Sequence, residues 1–289
     1  MSAMDLVRRV HLPWAPLPAG RMLDLPGRGG ATWITDTPGP TPEAPAVVLL
    51  HALATTGLLT WYPSIPTLAA RYRVITLDQR CHGRGITTRP FTLEDCADDV
   101  AALLDTLGLE QAVIGGYSMG SIVAQRVWRQ HPQRVRGLVL GATTDRFMTT
   151  ARERIFHQAT GATMRSLRSL PLRGPALPPT EETPTADLHT WALAEMRATS
   201  PLAVGQAVAA LGRHHSRPWL GRVDVPTAVV VTLHDKVIPP HRQIALARRI
   251  PGATVHEIAA GHAAVVREAE RFVPAFAQAV HTVHARARS

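Results

Sequence analysis

The chain has 289 residues, 45% hydrophobic and 18% charged, a balance that suits a buried core and excludes a disordered tail. Its net charge of +9 rests almost wholly on arginines spread through every segment, with Lys236 the one lysine. A nucleic-acid surface would gather that charge into a patch or stripe, so the scatter points away from nucleic acid and leaves anionic substrates or surfaces open.

Behind a proline-rich leader, residues 31–35 predict an edge strand and residues 37–45 a surface loop. The preceding Gly27-Arg28-Gly29-Gly30 is too short and wrongly placed for a phosphate loop. Ala46–Leu50 is a continuous apolar run, as a strand buried on both faces of a parallel sheet requires. Residues 63–71 predict a short helix and Arg73–Leu77 the next strand. Thr92 with Asp95 has the spacing of a capping box, and Gly108 stops the helix that follows. On that helix Cys96 shares a face with Leu93, Val100, Leu104 and Leu107, so its thiol reads as a small buried hydrophobe. Cys81 lies in a glycine-rich turn, and two cysteines make no disulfide framework.

A strand at 112–115, a helix at 118–131 and a strand at 137–140 continue the alternation, which predicts an α/β fold with a doubly wound, mostly parallel sheet. The alternation stops over 146–219. There a proline-rich loop at 171–185 is flanked by two helical patterns: Leu188, Trp191, Ala192 and Met196, then Val204, Ala207, Val208 and Leu211. Strands at Thr227–Thr232 and Thr254–Ile258 and a helix after Ala263 close the chain. The division is thus a core of 1–145 and 220–289 with a helical lid inserted at 146–219. No apolar run approaches the ~18 residues of a membrane span. The N-terminus, with Arg8-Arg9 and no apolar stretch behind them, does not read as a signal peptide, so a cytoplasmic protein is expected.

Residues 116–120 read Gly116-Tyr117-Ser118-Met119-Gly120, a G-x-S-x-G set between a strand and an amphipathic helix. Such a turn exposes a serine hydroxyl near a helix N-terminus, and small neighbours tolerate its strained backbone. A serine nucleophile needs a base, and the base needs an orienting acid. Asp235 follows the strand Thr227–Thr232, and His262 follows Thr254–Ile258 within Gly261-His262. All three residues therefore fall at carboxyl ends of strands, where open α/β sheets collect their ligands. Asp145, after the strand at 137–140, is a second candidate for the acid.

On these residues, and on Asp78-Gln79-Arg80-Cys81-His82-Gly83-Arg84-Gly85 after the fourth strand, the chain resembles the α/β-hydrolase superfamily across most of 31–281. The resemblance implies a serine esterase-like enzyme with Ser118, Asp235 and His262 as catalytic triad. It implies the N–H groups of Met119 and Leu53 as the oxyanion hole and a structural role for His82. It implies no cofactor. In His51-Ala52-Leu53-Ala54, alanine stands where relatives usually carry glycine, which permits backbone angles that alanine resists. Loss of one oxyanion donor costs on the order of 10²-fold in rate.

The expected activity is hydrolysis of carboxylic esters of small or aliphatic acids, with a small molecule as the partner. Thioester hydrolysis or acyl transfer, carbon–carbon hydrolysis, and a non-catalytic ligand-binding role share the same features. Haloalkane dehalogenases and epoxide hydrolases of this fold carry an aspartate nucleophile, which Ser118 argues against. His256-Glu257-Ile258-Ala259-Ala260-Gly261-His262 lacks the H-E-x-x-H spacing of a zinc site, and the adjacent His214 and His215 diverge on a helix, so no metal is expected. The remaining histidines read mostly as surface residues. Trp191 and Met196 read as packing residues of the lid or as the wall of an acyl pocket.

Overall fold

Residues that show neither face to water must lie in the middle of a covered sheet, and the apolar runs do so in a computed structural model of the chain. It describes residues 12–167, 169–170, 172, 174 and 188–287. The strands are β1 (Gly20–Leu25), β2 (Gly30–Thr37), β3 (Ala46–Leu50), β4 (Arg73–Leu77), β5 (Ala112–Tyr117), β6 (Val135–Gly141), β7 (Thr227–Thr232) and β8 (Thr254–Ile258). They form one sheet of order β1-β2-β4-β3-β5-β6-β7-β8. β1–β2 and β2–β4 pair antiparallel and every other neighbouring pair runs parallel.

The helices are α1 (Gly57–Trp61), α2 (Ile65–Ala69), α3 (Leu93–Thr106), α4 (Met119–Gln130), α5 (Ala151–Ser166), α6 (Leu188–Arg197), α7 (Pro201–Arg213), α8 (Pro240–Ala247), α9 (Ala264–Arg267) and α10 (Ala269–Arg286). The alternation of side chains along each strand divides the core into two clusters. Val48, Leu50, Ile75, Ile114 and Leu138 face one way, against Cys96, Val100, Leu104, Ile122 and Val127 of α3 and α4. Val47, Leu49, Val74, Val113 and Val139 face the other, against Trp61 of α1 and Phe272, Phe276 and Val280 of α10.

Four local expectations change. The strand predicted at 31–35 is not an edge, because β1 pairs outside it through a hairpin that turns at Gly27 (φ 75°) and Gly29 (φ 86°). Gly20 on β1 lies where a Cβ would come 2.5 Å from the Trp33 ring, so a glycine within the proline-rich stretch serves the strand. The helix predicted at 63–71 covers only α2, and α1 precedes it, capped by Thr56 accepting from the Leu59 N–H at 3.2 Å. At α3 Thr92 caps the Asp95 N–H at 3.0 Å, but Asp95 answers through the Thr92 hydroxyl (2.6 Å) rather than its main-chain N–H. Met196 is 51% exposed instead of packed, whereas Trp191 on the same helix is buried.

The three helices α5, α6 and α7 all fall between β6 and β7. The loop predicted at 171–185 lies outside the described residues except Leu172 and Gly174. Two contacts fasten α6 to the sheet's carboxyl side. Trp191 packs edge-on against Tyr62 at 5.3 Å between ring centroids. Glu195, buried at 2% exposure, accepts from the Thr56 hydroxyl (2.5 Å) and pairs with Arg84 at 3.3 Å. Among the described residues no helix is long and apolar enough to cross a membrane.

Candidate active site

β5 ends and α4 begins at one residue, Ser118, whose backbone is held at φ 51° and ψ −114°. A non-glycine residue there stores on the order of 1–3 kcal/mol of strain, which the surroundings must over-determine. They do. The Ser118 N–H donates to the Gly141 carbonyl at 2.9 Å, and the Ser121 hydroxyl bridges the carbonyls of Gly116 (2.7 Å) and Gly141 (2.9 Å). Neither glycine of the motif could carry a side chain. A Cβ on Gly116 would stand 2.3 Å from the Gly120 carbonyl carbon, and one on Gly120 would stand 2.0 Å from the Leu50 carbonyl oxygen. The helix thus starts flush against the end of β3. As the first residue of α4, Met119 offers one of the N–H groups that an α-helix cannot satisfy internally.

His262 lies in the loop between β8 and α9 with Nε2 3.0 Å from Ser118 Oγ and Nδ1 2.7 Å from Asp235 Oδ2. Asp235 is almost fully buried at the end of β7. Its Oδ1 accepts the N–H groups of Val237 and Ile238, both at 2.8 Å, and its Oδ2 accepts from the Thr232 hydroxyl at 2.9 Å. Burial alone would raise this carboxyl. The hydrogen bond and charge of His262, with the Ile238 N–H and the Thr232 hydroxyl, outweigh burial and hold it below the usual carboxylate range. An ionised Asp235 needs a donor from the imidazole, so the neutral ring carries its proton on Nδ1 and turns a lone pair toward Ser118. Such an array can take a proton from the hydroxyl as it attacks an electrophile.

Three side chains absent from the sequence reading complete this arrangement. The Tyr117 hydroxyl donates to the His262 carbonyl at 2.9 Å, tying the histidine loop to the residue before the serine. Thr232 and Gln243 brace the acid. Gln243 is fully buried and its amide reaches Asp235 Oδ2 at 3.3 Å and the Ile238 carbonyl at 2.7 Å. Asp145, the other candidate acid, instead lies 3.5 Å from Arg249 Nε.

The loop after β3 answers the question raised by Ala52. Among its residues the positive φ falls at Ala54 (60°), not at Ala52, so position 52 does not use glycine's freedom of backbone angle. The Ala52 carbonyl is turned away by two donors, His51 Nδ1–H (2.7 Å) and the Thr55 hydroxyl (2.9 Å). His51 Nε2 in turn accepts the Gln79 N–H at 2.9 Å, which links this loop to the one after β4. Leu53 is half-buried at the edge of the core.

His51, His82 and His214 are buried, which suits the structural role expected of His82. They serve as neutral packing groups, and burial lowers His82 to about 4 and His214 to about 3. Cys81 and Cys96 are both buried free thiols. Among the described residues no three His, Cys, Asp or Glu side chains are grouped to hold a metal ion.

The serine of a strand-to-helix turn thus meets a histidine and an aspartate from later loops of a doubly wound sheet. Residues 45–269 match the family described as alpha/beta hydrolase fold, and the chain belongs to that family. It is 37% identical over 110 residues to epoxide hydrolase B of Mycobacterium tuberculosis, a match spanning 37% of this chain and 30% of that protein's length. The activity of that longer protein therefore does not transfer with the match. It is 32% identical over 235 residues to pimeloyl-[acyl-carrier protein] methyl ester esterase of Neisseria meningitidis, covering 76% of this chain and 87% of the relative. A solved hydrolase from Pseudomonas aeruginosa PA01 superposes with a TM-score of 0.72 at 25% identity, over 90% of this chain and 96% of that one.

Proposed function

We propose that the chain is a serine hydrolase of carboxylic esters, and the observation that carries this reading is the unbroken line Ser118–His262–Asp235 at 3.0 and 2.7 Å. In this reading His262 Nε2 takes the Ser118 proton as Oγ attacks the ester carbonyl. Asp235 holds the imidazole in register and stabilises its charged form. The N–H groups of Met119 and Leu53 receive the oxyanion, and His262 then protonates the leaving alcohol and activates water to free the acid. No cofactor enters these steps. The esterase relative covered over 87% of its length supports an ester substrate.

Helices α5 to α7, within 146–219, serve as the cap over a core of 1–145 and 220–289. Aliphatic acyl groups are the expected preference, because α6 of the cap buries the apolar Trp191, Ala192 and Leu193. The test is labelling with a fluorophosphonate probe. Wild type should label, Ser118→Ala should not, and His262→Ala should label far more slowly. A folded wild type that stays unlabelled, or an S118A protein that labels equally, would overturn the reading. An acyl-ester series then reads chain-length preference, which equal turnover of acetyl and octanoyl esters would remove.

A further inference from the structure

Between α5, α7 and the loop at 89–91 lies a cavity of about 600 Å³ that neither Ser118 nor His262 lines. Its volume falls within the roughly 300–1,000 Å³ typical of small-molecule sites. Its walls combine two chemistries. Phe91 and Ala209 are buried and form an apolar floor with Pro90 and Met164, and Gly161 leaves that floor open. Arg89, Arg165 and Arg213 line it as well, and among the described residues the lining contains no carboxylate.

Several partly buried arginines elsewhere in the molecule meet acids. Arg28 meets Asp99 at 2.8 Å, Arg73 meets Asp36 at 2.7 Å, Arg242 meets Glu153 at 2.6 Å, and Arg249 approaches Asp145 at 3.5 Å. Among the described residues, Arg89 and Arg213 reach only main-chain carbonyls, of Leu167 at 3.5 Å and Ala209 at 3.1 Å. Converging like charges over an apolar floor repel one another, and an anion between them would relieve that repulsion.

We propose that this cavity binds a single-chain amphiphile with an oxyanion head group, a carboxylate or phosphate monoester. The head sits among Arg89, Arg165 and Arg213, whose planar forks match two oxygens at once. The chain lies on Phe91, Met164 and Ala209, and Gln206, whose Oε1 accepts the Phe91 N–H at 3.4 Å, adds a neutral amide to the wall. The site is separate from the serine site and does not depend on hydrolysis.

Gly161 provides a plug. A Cβ there would meet only Arg165 Nη1 at 3.6 Å and Ala209 Cβ at 3.9 Å, so a larger side chain is rooted without a clash and extends into the cavity. Calorimetric titration of the full chain with decanoate and with decyl phosphate tests the proposal, with decyltrimethylammonium as the charge-reversed control. One or both anions should bind, and whichever binds more tightly identifies the head group. Arg165→Gln with Arg213→Gln, both exposed positions, should weaken binding about tenfold or more. Gly161→Leu should remove it, and raising salt from about 20 to about 500 mM should weaken it several-fold. Absence of binding by both anions, equal binding of the cation, or unchanged affinity in the arginine pair and in G161L overturns the proposal.

Discussion

Asp235→Asn tests the proposed triad through the position of one proton. In the native site every neighbour of the carboxylate donates to it. Val237 and Ile238 hold Oδ1 through N–H groups at 2.8 Å, while His262 Nδ1 (2.7 Å), Thr232 Oγ1 (2.9 Å) and Gln243 Nε2 (3.3 Å) surround Oδ2. The two main-chain donors cannot turn, so an asparagine keeps its carbonyl on them and places its NH₂ where Oδ2 was. Thr232 can rotate its hydroxyl to accept. The imidazole has one way to accept, which is to bare Nδ1 and carry its proton on Nε2, facing Ser118. A histidine that donates to Oγ cannot remove the Oγ proton, and this tautomer error costs about 10⁴-fold in kcat, or about 5.5 kcal/mol. The cost in stability is smaller. One amide facing the Gln243 NH₂ costs about 1–3 kcal/mol, or roughly 2–12 °C in Tm for a domain of this size. Hydrolysis of p-nitrophenyl butyrate and a thermal melt read the two quantities separately. A folded D235N protein that keeps more than about a tenth of wild-type kcat would refute the reasoning.

Gly120→Ala places a methyl group 2.0 Å from the Leu50 carbonyl oxygen, an atom with nowhere to go. Helix α4 must retreat by about 1 Å, carrying Ser118 and the Met119 N–H with it. Esterase kcat should fall on the order of 10²-fold, with about 1–3 kcal/mol lost in urea unfolding. Tyr117→Phe removes only the hydrogen bond to the His262 carbonyl (2.9 Å), so kcat should drop about tenfold with KM little changed and stability lowered by about 1 kcal/mol. Two buried groups in the loop after β4 should set opposing slopes of stability with pH. Burial and then the Glu195 charge raise Asp78 to about 7, so the native state holds a proton that the unfolded chain releases near 3.8, a stabilisation present at low pH and lost as pH rises to 7. Burial lowers His82 to about 4, so its contribution is full above 6.5 and is lost as pH falls through 4. Burial lowers His51 and His214 as well, so the urea midpoint of wild type should fall with falling pH between these limits, that of Asp78→Asn should fall more steeply, and parallel profiles would refute the assignment.

What the sequence discloses follows from how locally each feature is determined. β3, β4, β7 and β8 match their sequence readings residue for residue; the first three do so because strands buried in a sheet announce themselves as short apolar runs between turn signals, whereas β8 is an edge strand of alternating burial. β1 does not. Apart from the buried Leu25 its residues are half-exposed or exposed with no regular alternation, and what makes it a strand is pairing with β2. The same holds for α1, five residues long, too short for helical periodicity and fixed by burial beneath α6. Ser118, Asp235 and His262 are legible because each follows a strand whose end the sheet aligns with the others. Their supports are not: Tyr117 acts on a carbonyl 145 positions away, and the role of Gln243 depends on the geometry of a turn. Ala52 shows the limit of reading a glycine by analogy, since the left-handed residue of its loop is Ala54. The arginines mark a further limit. Counted along the chain they are scattered, and scatter argues against a charged site; yet Arg89, Arg165 and Arg213, from a loop and two helices, converge on one cavity. Charge density along a sequence is therefore a weak guide here, because the fold and not the spacing decides which guanidinium groups share a ligand.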